Sequence, residues 1–306
     1  MSINHPRIRV KEDGRLIVRD GLLLCFYLHE SHRRLGPTVG ALLRAYQRFV
    51  GPDTLTAFFN EEGDPARLTG RGWTRIFAEL SDSSEGHSYN LSLNDSLTEV
   101  GAFSFEYFGA DLDLLSFKWP GAASYVSLCF PTEFLPEVGA ARFEAFALDL
   151  AGSLPFTSGY GSLAFNYSKG RDEYDAFRHI SNYCFGLPGM DVHHARSTCF
   201  DIDAKVRGAY WLNFLGGPVL HQLGGLVSLR RRLASPSINV SPLAGDRAMI
   251  TLGAQPNAGD PESGDDLSPY RLLAETLKDN LHVGYLPAFA PEDAARWSRR
   301  FLTPSK

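Results

Sequence analysis

Residues 7–29 constrain the fold most. Two alternating or apolar runs, 8–11 and 16–29, flank the tripeptide Glu12-Asp13-Gly14. A turn signal between two such runs makes a β-hairpin. The chain therefore begins a sheet, and later elements must cover it. Residues 35–50 carry apolar side chains at 39, 42, 43, 46, 49 and 50, the spacing of one helix face. Gly51-Pro52 ends that helix. Residues 54–60 read as a short strand. Residues 69–80 read as a second helix, with Trp73, Ile76, Phe77 and Leu80 on one side. Strand-like runs come next at 88–93, 101–108 and 114–119.

The same order then recurs: strand 124–130, helix 134–154, strand 160–167, helix 172–183. Leu24-Cys25-Phe26 matches Leu128-Cys129-Phe130, and Ala57-Phe58-Phe59-Asn60 matches Ala164-Phe165-Asn166-Tyr167, at offsets of 104 and 107 residues. This spacing predicts a diverged internal duplication. Its N-terminal half is residues 1–120 and its C-terminal half residues 121–306, joined as one compact unit. Beyond it, a strand is predicted at 200–206 and a helix at 210–233, broken at Gly216-Gly217-Pro218. Strands at 237–241 and 248–253, a loop rich in Gly, Pro and acids at 254–269, and a helix at 270–281 complete the pattern. Frequent hairpins among alternating strands and helices predict an α+β fold, with helices packed on a mixed or antiparallel sheet.

The 306 residues are 44% apolar and 21% charged, which excludes a disordered chain. The net charge of −5 offers nothing to nucleic acid. Cys25, Cys129, Cys184 and Cys199 form no C-x-x-C pair and read as reduced thiols. The N-terminus has no apolar signal region, and no run approaches the ~18 apolar residues that span a bilayer. The expected location is the cytoplasm, with no membrane contact.

Few motifs invite chemistry. Gly159-Tyr160-Gly161-Ser162-Leu163-Ala164 spells G-x-G-x-x-A, but a helix precedes it and a strand comes after, the inverse of a dinucleotide site. The glycines are expected to turn the chain into that strand. His193-His194 beside Asp191 point to opposite sides of an extended chain and make poor joint metal ligands. Cys129 lies in an apolar run. No G-x-S-x-G elbow is present. Arg230-Arg231-Arg232 closes a helix whose C-terminal dipole favours cations. The expectation is a binding protein without enzyme activity, cofactor or metal.

Charge is unevenly spread. Residues 1–153 hold 14 Lys and Arg against 20 Asp and Glu, a net −6. Between Arg75 and Lys118 there is no Lys or Arg, but there are Glu79, Asp82, Glu85, Asp95, Glu99, Glu106, Asp111 and Asp113. A second cluster is Asp260, Glu262, Asp265 and Asp266. These twelve carboxylates are the candidate partner-binding residues. A surface of that sign attracts a basic partner. Solvation alone, or pairing with arginines from elsewhere, is the competing explanation. Phe103, Phe105, Tyr107 and Phe108 are candidate anchors, although alternation turns half of them into the core.

One ordered set of segments goes further. It runs from Val126-Ser127-Leu128-Cys129-Phe130-Pro131 and its helix through Leu154-Pro155-Phe156-Thr157-Ser158-Gly159-Tyr160-Gly161-Ser162-Leu163-Ala164-Phe165-Asn166. Pro188-Gly189-Met190-Asp191-Val192, Tyr210-Trp211-Leu212-Asn213-Phe214-Leu215-Gly216 and Leu223-Gly224-Gly225 come next. It closes with Ile250-Thr251-Leu252-Gly253-Ala254-Gln255-Pro256-Asn257-Ala258-Gly259-Asp260 and Tyr270-Arg271. Over residues 15–281 the set resembles the TsiV-like family of type VI secretion immunity proteins. Tyr210-Trp211 stands where the family pattern has Asn-Trp. The resemblance implies an antidote that binds a cognate toxic effector, in most described cases a nuclease, and occludes its DNA-binding site. The alternatives are immunity to a non-nuclease toxin, or an enzyme using Cys129 or the Gly159–Ala164 stretch.

Overall fold

A computed structural model describes residues 5–59, 64–260 and 264–302, without the side chain of residue 171. The predicted hairpin is present: β1 (Arg9–Glu12) pairs antiparallel with β2 (Arg15–Leu28) across a turn in which Asp13 and Gly14 both take positive φ. Helix α1 (His32–Val50) comes next, burying Leu35, Val39, Leu42, Leu43 and Tyr46. After it are β3 (Ala57–Phe59), β4 (Pro65–Arg67), α2 (Gly70–Glu79), β5 (Tyr89–Asn94) and β6 (Ser104–Gly109). Residue 60 of the predicted strand 54–60 lies outside the described residues.

Residues 114–119 are not a strand. Asp111 caps a short helix α3 (Leu112–Leu115), its carboxylate accepting the Asp113 N–H at 3.0 Å. Strand β7 (Ser124–Pro131) is next. The helix expected over 134–154 is two: α4 (Phe134–Val138) and α5 (Ala140–Ser153), parted where Gly139 takes φ 83°. Strand β8 (Phe156–Tyr167), α6 (Glu173–Tyr183), β9 (Met190–Asp191) and α7 (Ala195–Thr198) come after them. The strand expected at 200–206 is a series of turns, with Asp203 at φ 45° and a lone bridge from Val206 to Leu281. The first residues of the helix expected at 210–233 are instead β10 (Leu212–Leu215), an apolar run buried between two strands. Only past Gly216 does the chain become helical, as α8 (Gly217–Gln222) and α9 (Gly225–Arg232). Strands β11 (Ile238–Leu243) and β12 (Arg247–Leu252) and helices α10 (Ser268–Leu277) and α11 (Pro291–Ser298) finish the chain.

The strands form one sheet in the order β11-β12-β10-β8-β2-β7-β6-β5-β3-β4, with β1 on β2 and β9 on β8. Every pairing is antiparallel except β8 with β9. The architecture is α+β. The sheet runs unbroken across residue 120, because β2 from the first half lies between β7 and β8 from the second. The strands that a duplication would equate take different places: β8 adjoins β2, while β3 lies near the sheet's far edge.

Register assigns the faces. Leu22, Leu24, Phe26, Leu91, Leu93, Phe105, Tyr107, Val126, Leu128 and Phe130 fall on one face. They join α1 and α5 residues in the main core. Leu23, Cys25, Tyr27, Tyr125 and Tyr160 fall on the other, packed with Ala195, Cys199, Ile202 and Tyr210. Helices α8, α9 and α10 build a separate core over β10 and β12.

Gly159 and Gly161 lie within β8 and make no turn. A Cβ on Gly159 would come 2.5 Å from Phe26 Cδ1 and 2.9 Å from the Cys25 carbonyl oxygen. One on Gly161 would meet Leu24 Cδ2 at 2.7 Å. The glycines thus leave room for the large side chains of β2 beside them. Gly159→Ala is expected to cost about 1–3 kcal/mol through forced repacking. Urea denaturation checks this, and an unchanged midpoint would refute it.

Candidate interaction site

The second face is only partly covered. Along β5, β6 and β7 the residues alternating with the core are Ser92, Ser104, Glu106, Ser127 and Cys129. Four of these, all but Ser127, line a cleft of about 450 Å³. Its walls are the 96–101 loop, Asn166 near the end of β8, and the segment leaving β8, which contributes Lys169 and Asp172. A neighbouring cleft of about 390 Å³ shares Ser92, Glu106, Tyr167 and Lys169 and extends to Tyr125 and Arg196. Glu106 is only 7% exposed, and Lys169 forms its ion pair. At the rim Arg15 pairs with Asp172 at 2.9 Å.

His193 also lines the first cleft, and a buried polar group lies behind it. The fully buried Asp191 carboxylate accepts the Tyr160 hydroxyl at 2.7 Å and the Tyr210 hydroxyl at 2.6 Å. Arg207 stands 4.0 Å from the same carboxylate and donates to the Val192 carbonyl at 3.2 Å. Tyr160 and Tyr210 stack with centroids 4.2 Å apart. The His193 Nδ1 is 3.1 Å from the Tyr160 oxygen. Tyr160 spends its proton on Asp191, an acceptor only, so its oxygen accepts from His193 Nδ1–H. Burial lowers the His193 pKa well below its usual value, which keeps the ring neutral. Its Nε2 is then a bare acceptor, and no described residue meets it. His194 turns away to Glu173, 3.2 Å distant. Burial pushes the Cys129 thiol up to about 12, so it carries almost no thiolate near neutrality.

The twelve predicted carboxylates do not share one surface. Glu79, Asp82, Glu85, Asp111 and Asp113 lie at one end of the β5–β6 hairpin, and Asp95 and Glu99 at the other. Several are already engaged. Arg33 reaches Glu85 at 3.2 Å and Asp113 at 2.9 Å, and His87 lies 3.3 Å from Glu79. Asp82 accepts the Ser84 N–H at 2.8 Å. Asp95 accepts the Ala102 and Phe103 N–H groups and holds the loop, and burial raises its pKa. Glu106 and Glu99 line the cleft. Asp265 accepts the Gly259 and Asp260 N–H groups, and Asp266 accepts that of Ser268 at the start of α10. Glu262 lies outside the described residues. Glu85 and Asp113, though paired with Arg33, keep side chains 89% and 71% exposed.

The predicted anchors need correction. Phe105, Tyr107 and Phe108 are buried, and Phe103 packs edge-on against Phe130 and Phe134. The exposed apolar groups of this region are Leu114 and Phe117, at 67% and 98% exposure, on and just after α3. Sequence reading missed them because it placed these residues in a strand. It also missed Lys169, Asn166 and His193 as a set. Asn166 is the one of the three within a strand, and Lys169 and His193 follow strands, so local pattern gave no signal that they meet.

The sequence matches, over residues 39–301, the family model described as type VI immunity for VRR-NUC. The class is therefore that of secretion-system immunity proteins. The chain belongs to the TsiV family. The solved structure of the Pseudomonas aeruginosa T6SS protein PA0821 shares the fold, with a TM-score of 0.77 at 22% identity over 96% of this chain and 84% of that one. No curated protein matches the sequence. Among the described residues no helix is long and apolar enough to cross a membrane.

His193 also contributes to the response to acid. Its folded pKa lies below the ordinary 6.5, chiefly through desolvation. Above 6.5 both folded and unfolded forms are neutral, and the residue adds no pH dependence. Below 6.5 the unfolded chain takes up a proton that the folded chain excludes. Stability is expected to fall with pH there, by up to about 1.4 kcal/mol per pH unit, until the folded pKa is reached. His32 and His282 are lowered in the same sense. Urea midpoints measured from about pH 7.5 to pH 5.5 check this. His193→Gln should flatten the curve, and parallel curves would refute the assignment.

Proposed function

We propose that this protein is the antidote to a VRR-NUC nuclease effector, and that it acts by binding the effector stoichiometrically and closing its active site to DNA. The observation that carries this reading is the family match across residues 39–301. A nuclease cleft must hold phosphates and is therefore positive. Such a cleft complements the open carboxylates Glu85 and Asp113. Close after Asp113 in the chain, Leu114 and Phe117 offer apolar surface that no described residue covers. An aromatic side chain that a partner can bury is the kind of anchor that concentrates binding energy. The charges raise the encounter rate, and the anchor slows dissociation. The antidote works where the effector's substrate is, in the cytoplasm of the producing cell, and it turns nothing over. The Cys129 thiol, held protonated by burial, fits that absence of chemistry.

The test is co-expression with VRR-NUC effectors from the same genome, read as survival and co-purification. A chain that neither protects nor co-purifies would refute the proposal. Phe117→Ala is expected to weaken the complex about tenfold or more, mainly through faster dissociation. Glu85→Gln with Asp113→Asn should slow association several-fold and flatten its salt dependence. Kinetics at two ionic strengths separate the two effects. Unaltered rates in both variants would move the contact off the α3 edge.

A further inference from the structure

The cleft over β5, β6 and β7 holds more unsatisfied polar chemistry than a solvated groove requires. Among the described residues His193, 5% exposed, presents Nε2 without a partner. Ser92 Oγ, on the same lining and able to accept, is also unpartnered among them. Buried polar atoms are usually paired, so two unmet acceptors on one lining mark a built site. Its charge has a sign. The described charged side chains on the lining are Arg15 and Lys169 against Asp64, Glu99, Glu106 and Asp172, a net −2 with His193 neutral. The deepest charge is the Glu106 carboxylate, held by Lys169 on Oε2. Lys169 is itself a third exposed and sits at the end of a flexible stem, so it can yield its place.

We propose that this cleft receives a basic side chain, arginine or lysine, from a loop of the effector, and that Glu106 and His193 Nε2 accept its N–H donors. The inference rests on the proposed antidote function and adds a second contact to the α3 edge. A guanidinium or ammonium carries only donors, and the cleft supplies an ionised acceptor and a neutral one. The two contacts adjoin. Arg196 of the second cleft lies over Phe108 and Phe200, and Phe200 packs on Trp119 just beyond α3.

Two substitutions of opposite sign test the proposal. The probe is a catalytically inactivated VRR-NUC effector that the unsubstituted protein binds, titrated by calorimetry at fixed salt, with thermal melts reporting the fold of each variant. Glu106→Gln should weaken binding at least about tenfold, and Lys169→Met, which removes the competing cation, should tighten it several-fold. That pair of results supports a seated basic side chain. The reverse pair, weaker with Lys169→Met and tighter with Glu106→Gln, overturns it in favour of an anionic occupant. Binding unchanged in both folded variants overturns the cleft contact and leaves the antidote function standing. If Glu106→Gln melts early, Lys169→Met alone decides by its direction, a gain supporting the proposal and a loss or no change overturning it. Failure of the unsubstituted protein to bind any such effector overturns both readings together.

Discussion

Strand β2 hydrogen-bonds along both of its edges, to β7 and β1 on one side and to β8 on the other. Residues 22–28 of β2 are fully or almost fully buried on both faces. It ties the first third of the chain to the rest, so neither part can open without breaking a ladder. The tie depends on packing. Phe26 and Leu24 occupy the space that Cβ atoms on Gly159 and Gly161 would need. Phe26 then reaches across to Phe156 and Phe214, at centroid distances of 5.8 and 4.9 Å. The small residues of β8 and the large ones of β2 are therefore a single adaptation.

The two faces of that sheet have different fates. One is sealed by α1 and α5 in a continuous apolar core. The other is sealed only near β2 and β8, where residues 195–210 cover it. Toward β5 and β6 the alternation places Ser92, Glu106 and Ser127 where a core would need apolar groups. Burying an ionised carboxylate without a partner is costly, so the chain leaves this part open and brings Lys169 to it. Further in, Asp191 is wholly buried and is compensated by two phenols and Arg207. That network is a rigid support. It fixes the ring of His193 and decides which of its nitrogens faces the cleft.

The hairpin at 7–29, helix α1 and the paired strands 237–241 and 248–253 could be read from the sequence, because turn chemistry and periodicity agree there. Residues 210–215 could not. Tyr-Trp-Leu-Asn-Phe-Leu is apolar almost throughout, and only the neighbours β8 and β12 make it a strand. Residues 114–119 failed for a different reason. One side chain, Asp111, caps a turn that local hydrophobicity does not reveal. The carboxylates were legible as a count and not as a place. Their grouping depends on which strand ends meet, and Arg33, far away in the chain, is what links Glu85 to Asp113.

That pairing changes what the negative charge can do. A carboxylate already matched by an arginine contributes little net field, and exposed pairs are worth little in energy. Arg33 serves two carboxylates, so the group keeps one net negative charge and a fixed geometry. Such a group can steer a positive surface toward itself without holding it. Holding requires desolvated contact, and the chain offers that in two forms: the uncovered Phe117 ring and the recessed Glu106 carboxylate. In the function proposed above, the protein must bind each toxin molecule as it is made and keep it bound. Long-range charge serves the first need and buried contact the second, so dividing them between different residues lets each be strong without weakening the other.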